Sequence, residues 1–264
     1  MSSSVAADSM MFTRRNLEHI RQIPEQLLDK TMQPVMFVLL FTYVFGGAIS
    51  VTGGEYKQYL LGGILVQSLA FGLTGPATAI ATDMNDGVID RFRSLPTKSI
   101  SYLLGHYFAQ LAGMVLSIVI SVLTGLVVGW RTGEDLPHIL GAFALLVLFA
   151  SAMIWVGTLI GLMVRSPDAV MGLAFVLVFP LTFLSNAFVP IESLPNVLQW
   201  VASWNPVSVI VSAVRHLFGN PVTPVVKHAW PLEHPVLASF VSCGALLVVS
   251  VPAVLRRYGQ RTRD

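Results

Sequence analysis

Residues 136–164 read LPHILGAFALLVLFASAMIWVGTLIGLMV, without one Asp, Glu, Lys or Arg. A helix crossing the hydrocarbon of a bilayer needs about 20 mostly apolar residues. One Asp, Lys or Arg at the centre of such a helix costs roughly 2.5–3.5 kcal/mol. This stretch therefore reads as a transmembrane helix, and the whole chain agrees with it. Of its 264 residues, 54% are hydrophobic and 11% charged, against roughly a quarter charged in soluble domains. A soluble fold of this size needs a charged exterior that this chain cannot supply. The formal net charge of +2 gives no reason to expect a nucleic-acid partner. The single cysteine, Cys243, lies in an apolar run, which excludes an internal disulfide and a cysteine metal cluster.

Outward from this helix, charge-free gaps also run over 31–54, 58–82, 99–130, 169–191, 193–214 and 234–255. The gap at 193–214 differs from the others. It holds Pro195, Asn196, Gln199, Asn205 and Pro206, with Trp200 and Trp204 between them. Tryptophan favours the headgroup level, and irregular backbone at membrane depth needs protein or water around it. This gap reads as short helices dipping in from the outer interface. The expected fold is an all-α integral membrane protein with six transmembrane helices, over about 33–52, 58–82, 100–130, 137–163, 169–188 and 235–255. A reentrant extracytoplasmic helical hairpin, within 189–234, is expected between spans five and six.

The basic residues give an independent count. Arg14, Arg15, Arg21 and Lys30 precede the first span, and Arg256, Arg257, Arg261 and Arg263 follow the last. The excess of Lys and Arg on cytoplasmic segments places both ends inside, so the number of spans is even. Six spans also put Arg91, Arg93, Lys98 and Arg165 inside, leaving Lys57, Arg131, Arg215 and Lys227 outside. The first thirty or so residues are too polar for a signal peptide, so the first apolar segment is expected to stay as an anchor. Within the cytoplasmic segment 1–32, residues 12–31 carry Leu17, Ile20, Leu27 and Leu28 near helical spacing among charges. They suit an amphipathic interfacial helix, kinked at Pro24. Residues 256–264 form a basic cytoplasmic tail.

Between the second and third spans lies DMNDGVIDRFRSLPTKS, residues 83–99. If 88–95 is helical, acids stand towards its N-terminus and bases towards its C-terminus, complementing the helix dipole. Val88, Phe92 and Leu95 then share one face. Such a segment suits a groove on a soluble partner, and a plain solvated connector fits the same residues.

The string DGVIDRFRSLPTKS, residues 86–99, resembles the cytoplasmic loop of the type-2 ABC permeases, and is closest to their daunorubicin-resistance group. Residues 165–220 resemble the fifth span and reentrant hairpin of the same family, through Ser166-Pro167-Asp168, Phe188-Val189-Pro190, Leu194-Pro195 and Asn205-Pro206. Residues 1–11 and 221–235 carry no resemblance. The likeness implies a six-span permease in a bacterial cytoplasmic membrane, exporting hydrophobic drug-like compounds or lipids and conferring antibiotic resistance. It implies a second permease subunit, identical or homologous, and two copies of a cytoplasmic ABC ATPase that binds ATP-Mg. The ATPase contact would fall on Asp86, Gly87, Asp90, Arg91, Phe92, Arg93, Leu95 and Pro96, with the N-terminal amphipathic helix as a second contact. Export of a polysaccharide, and a non-transporting membrane scaffold, are the alternatives.

The chain carries no catalytic signature of its own. Lys98-Ser99 is the nearest fragment of a phosphate loop, but Thr97 stands where glycine is required. No H-E-x-x-H or G-x-S-x-G occurs. The chain is therefore expected not to be an enzyme and to bind no cofactor or metal directly. No span centre holds a carboxylate, which disfavours an ion-coupled pump. His106 and His138, near span starts, are expected to be partnered interfacial residues. Gly125-x-x-x-Gly129 and Gly157-x-x-x-Gly161 permit close helix approach. Met153, Trp155, Phe175, Phe179 and Phe183 suit an apolar pathway, and equally a lipid-facing or core role.

Overall fold

In a computed structural model of the chain, residues 24–46, 55–87, 99–164, 166–222 and 229–261 are described. They are helical, with no strand among the described residues. Helix α1 (Pro24–Leu40) continues through a π-helical turn (Phe41–Phe45). Then follow α2 (Tyr56–Phe71), α3 (Thr74–Asn85), α4 (Ser99–Val128) and α5 (Leu136–Met163). After α6 (Pro167–Phe183) come α7 (Asn196–Trp204), α8 (Pro206–Phe218), the short α9 (Trp230–Glu233) and α10 (Pro235–Arg261).

Four stretches are long and apolar enough to cross a membrane: Tyr56–Asn85, Ile100–Val128, Leu136–Met163 and Pro235–Gln260. They coincide with four of the six expected spans. The other two are shorter apolar helices, Met32–Val44 and Pro167–Phe183. The gap rejected as a span holds α7 and most of α8, two helices bent by 72° to each other about Asn205. The expected amphipathic helix lies mostly outside the described residues. From Pro24 onward it runs without a break into the first apolar helix.

Helix α5, the uncharged stretch quoted first, is the centre of the bundle. It packs against α10, α3, α8, α4 and α2. Gly157 and Gly161 make its closest approach possible. A Cβ at Gly157 would stand 2.2 Å from the Leu73 carbonyl oxygen, and one at Gly161 would stand 2.4 Å from that of Ala77. Only glycine lets the backbone of α3 and its preceding turn lie so near. The pair Gly125 and Gly129 behaves differently. Gly125 faces the Leu61 side chain, whereas Gly129 follows the end of α4 at φ +99°, where its freedom serves a turn.

The exterior is apolar. Val127 on α4 is 87% exposed and Val248 on α10 is 73% exposed, among many large apolar neighbours. In water such a belt would aggregate; in lipid it is the expected surface. Cys243 is buried in α10 as a small apolar residue.

Candidate functional site

Helix α3 ends where the charged loop begins. The Asp86 N–H donates to the Thr82 carbonyl at 2.9 Å, and Gly87 takes φ +64°. A glycine in the left-handed region is a common helix stop. Asp86 is exposed and Gly87 half-buried. The other expected contact residues, Asp90, Arg91, Phe92, Arg93, Leu95 and Pro96, lie outside the described residues.

The two stems of this loop are fastened together. Tyr102, in the first turn of α4, donates its hydroxyl to the Asp83 carboxylate in the last turn of α3. Its ring stacks on Tyr258 of α10, with centroids 6.0 Å apart and planes 11° apart. Beneath lie Ile80, Leu103, Leu162 and Val254, a small core of its own. Four helix ends therefore meet at the residues that flank the loop. His106, one turn on, is buried and stacks against Tyr102. His138, at the other end of the bundle, places Nδ1 3.8 Å from a Glu134 carboxylate oxygen. His138 has a partner as expected, whereas His106 is buried within the bundle rather than interfacial.

At the end of the bundle away from the loop, Arg215 of α8 is completely buried. Its Nε donates to the Tyr59 carbonyl at 2.7 Å and its Nη2 to the Ala187 carbonyl at 2.9 Å. The guanidinium carbon lies 3.4 Å from the centre of the Tyr59 ring. Nη1 is buried without a hydrogen-bond partner. Sequence reasoning counted Arg215 among the outer bases and missed this role. Its acceptors are main-chain carbonyls far away in sequence, so no acidic residue signals the pairing. Gly62 leaves room for it, because a Cβ there would stand 2.9 Å from Arg215 Cγ.

The same network holds the segment after α6. Tyr59 donates its hydroxyl to the Asn186 carbonyl at 2.7 Å, and Tyr56 to the Phe188 carbonyl at 3.1 Å. Asn186 Nδ2 donates to Ser212 Oγ at 2.7 Å. At the α7–α8 bend, Asn205 Oδ1 accepts from the Val207 N–H, while its Nδ2 donates to the Leu181 and Leu184 carbonyls. One amide thus caps α8 and closes the end of α6. Trp200 and Trp204 point outward from α7, 61% and 54% exposed.

Three of the five residues proposed for an apolar pathway form a row. Phe175, Phe179 and Phe183 stack along α6, with centroids 4.9 and 4.1 Å apart. The row runs on through Phe188 to Phe41 and meets Phe71 at its other end. Met153 is instead in the main core, and Trp155 packs beside the loop-stem core.

A helical bundle with an apolar exterior and four helices long enough to cross a bilayer is the architecture of an integral membrane protein. Residues 9–218 match the model of the ABC-2 type transporter family, and the chain belongs to that family. It is 32% identical, over 92% of its length and 83% of the relative's, to the "Daunorubicin resistance ABC transporter permease protein DrrB1" of Streptomyces coeruleorubidus. It is 26% identical, over 88% and 83%, to the "Doxorubicin resistance ABC transporter permease protein DrrB" of Mycobacterium tuberculosis. A more distant relative is the "Putative transport permease ycf38" of Cyanophora paradoxa, 24% identical over 83% and 78%.

Proposed function

We propose that this chain is the permease subunit of a bacterial ATP-driven exporter that carries hydrophobic drug-like compounds or lipids out across the cytoplasmic membrane. On this reading it has six spans with both ends inside. It does not hydrolyse ATP; two ATPase copies beneath it bind ATP-Mg, and a second permease, identical or homologous, completes the pathway. Residues 83–99 are the coupling loop, with Asp86, Gly87, Asp90, Arg91, Phe92, Arg93, Leu95 and Pro96 meeting the ATPase.

The clamp of Asp83, Tyr102 and Tyr258 carries this reading. A loop with independent stems would absorb a push from below by flexing. One whose stems are fastened to each other and to α10 passes displacement to three helices at once. That is the connection needed by a permease with no energy source of its own.

On the six-span reading, the two shorter apolar helices, Met32–Val44 and Pro167–Phe183, are the first and fifth spans. At about 1.5 Å per residue, the 17 residues of α6 reach about 26 Å, slightly short of the roughly 30 Å hydrocarbon. The Asn205 amide supplies donors to the carbonyls at its end, as backbone at membrane depth requires. Outward tryptophans on α7 beside a buried α8 fit a reentrant hairpin resting at the outer interface.

Affinity purification from the native membrane tests the assignment. An ATPase subunit retained at a fixed ratio is the expected result. A permease recovered without any ATPase would favour the scaffold reading and overturn this one.

A further inference from the structure

The second span, Tyr56–Asn85, has its two halves fastened to different partners. In the outer half, Gly62 and Gly63 bring α2 against α8 and the segment after α6. A Cβ at Gly62 would stand 2.9 Å from Arg215 Cγ, and one at Gly63 would stand 1.9 Å from the Ala187 carbonyl oxygen. Tyr56 and Tyr59 add their bonds to Phe188 and Asn186 at the same level. In the inner half the close-approach glycines belong to α5. Gly157 meets the Leu73 carbonyl and Gly161 that of Ala77, so this contact begins at Leu73 and continues along α3. The bond from Tyr102 to Asp83 holds the far end.

Between the halves the helical ladder gives way. The Gly72 N–H still donates to Ser68, four residues back, at 2.8 Å, and Ala77 to Leu73 at 3.2 Å. Between these two bonds, Leu73 and Gly75 reach only three residues back, at 3.4 and 3.3 Å, and Pro76 has no N–H to offer. The Thr74 hydroxyl covers the Phe71 carbonyl at 2.9 Å, as freed backbone at membrane depth requires. A stretch of three-residue bonds inside a helix often marks a hinge, and Gly72 and Gly75 carry no side chain to resist a turn. Packed interiors resist movement, but a cavity of about 90 Å³ beside Gly72 and Gly75, reaching Met114 of α4, leaves room for one.

We infer that Gly72–Pro76 is a hinge, about which α3 turns with the inner end of α5 while α2 stays with α8 and the Arg215 network. This rests on the exporter reading above and specifies which part of the permease answers ATP. The 12 residues of α3 are about 18 Å long, so a turn of about 20° carries their loop end about 6 Å sideways.

Spin-label distances test the hinge. In the full chain with Cys243→Ala, cysteines replace the exposed Glu55 and Glu192 at the outer end, and Asn85 and Met163 at the inner end, two at a time. The labelled chain is co-expressed with an excess of unlabelled chain, so that each assembly carries one labelled copy. It is held with its ATPase in proteoliposomes, and distances are read without nucleotide and after trapping with ATP and vanadate. The crossing distances, from Glu55 and from Glu192 to Asn85, should change by about 3–6 Å for a turn of that size. The outer pair, Glu55 with Glu192, and the inner pair, Asn85 with Met163, should hold still. Pro76→Ala supplies the missing N–H to the Gly72 carbonyl and should shrink the crossing change to about half or less. Crossing distances that do not move, or an outer or inner pair that moves as much as they do, would overturn the hinge. A Pro76→Ala chain that moves like the native one would overturn it too. ATP-dependent dye uptake by the same proteoliposomes keeps the two readings apart. Uptake with fixed distances leaves the exporter and removes the hinge, and a moving span without uptake does the reverse.

Discussion

Arg215 is the residue whose chemistry is furthest from what its place in the sequence suggests. Its guanidinium is balanced by two carbonyl dipoles and an aromatic face rather than by a carboxylate. Cation–π contacts contribute ~2 kcal/mol or more when desolvated, and hydrogen bonds involving a charged donor about 1.5–3 kcal/mol each. Arg215→Met removes the charge and its bonds to the Tyr59 and Ala187 carbonyls, and thermal unfolding in detergent should show a loss of about 2–5 kcal/mol. Arg215→Lys should lose nearly as much, because a compact ammonium cannot reproduce the flat fork. A lysine variant as stable as the native chain would refute this account of the contact. At the opposite end, Tyr102→Phe deletes one hydroxyl and keeps the stack on Tyr258. ATPase assembly should survive, while export falls several-fold relative to ATP hydrolysis. Unchanged transport per ATP would mean that the Asp83 bond plays no part in coupling.

Among the elements, the long helices were legible and the short ones were not. Lipid penalises a charge so strongly that gaps between charged residues outline α2–α3, α4, α5 and α10 almost unaided. The end of α6 and the placement of α8 depend instead on tertiary partners. Asn205 reaches back to carbonyls 21 and 24 residues earlier, and Arg215 reaches Tyr59 across 156 residues. No local pattern encodes such distances. Even the loop residues were more readable than their clamp, because DGVIDRFRSLPTKS is a continuous string, whereas Asp83, Tyr102 and Tyr258 come from three helices. The glycine contacts of α5 make a firm prediction at this scale. Gly161→Ala places a methyl against the Ala77 carbonyl and should cost about 1–3 kcal/mol of thermal stability, as overpacking does, whereas Gly172→Ala meets open space and should be neutral. If both substitutions prove neutral, α3 and α5 do not pack as closely as described.

For the whole molecule, the apolar belt and the loop-side clamp describe one machine with distinct ends. The Tyr59–Arg215 network ties α8 to the start of α2, and the Asp83–Tyr102 pair ties α3 to α4. Between them lies the break at Gly72–Leu73 that separates α2 from α3. On the proposed account, a push from the ATPase enters at the clamp and travels along α3. Whether residues 83–99 carry that push is the central claim, and Arg91→Ala/Phe92→Ala tests it most directly. In proteoliposomes holding the permease with its ATPase, ATP hydrolysis and ATP-dependent uptake of a hydrophobic dye are measured together in inside-out orientation. The account predicts that the double variant, incorporated at native level, still hydrolyses ATP but no longer transports. Native transport by the same variant would contradict it.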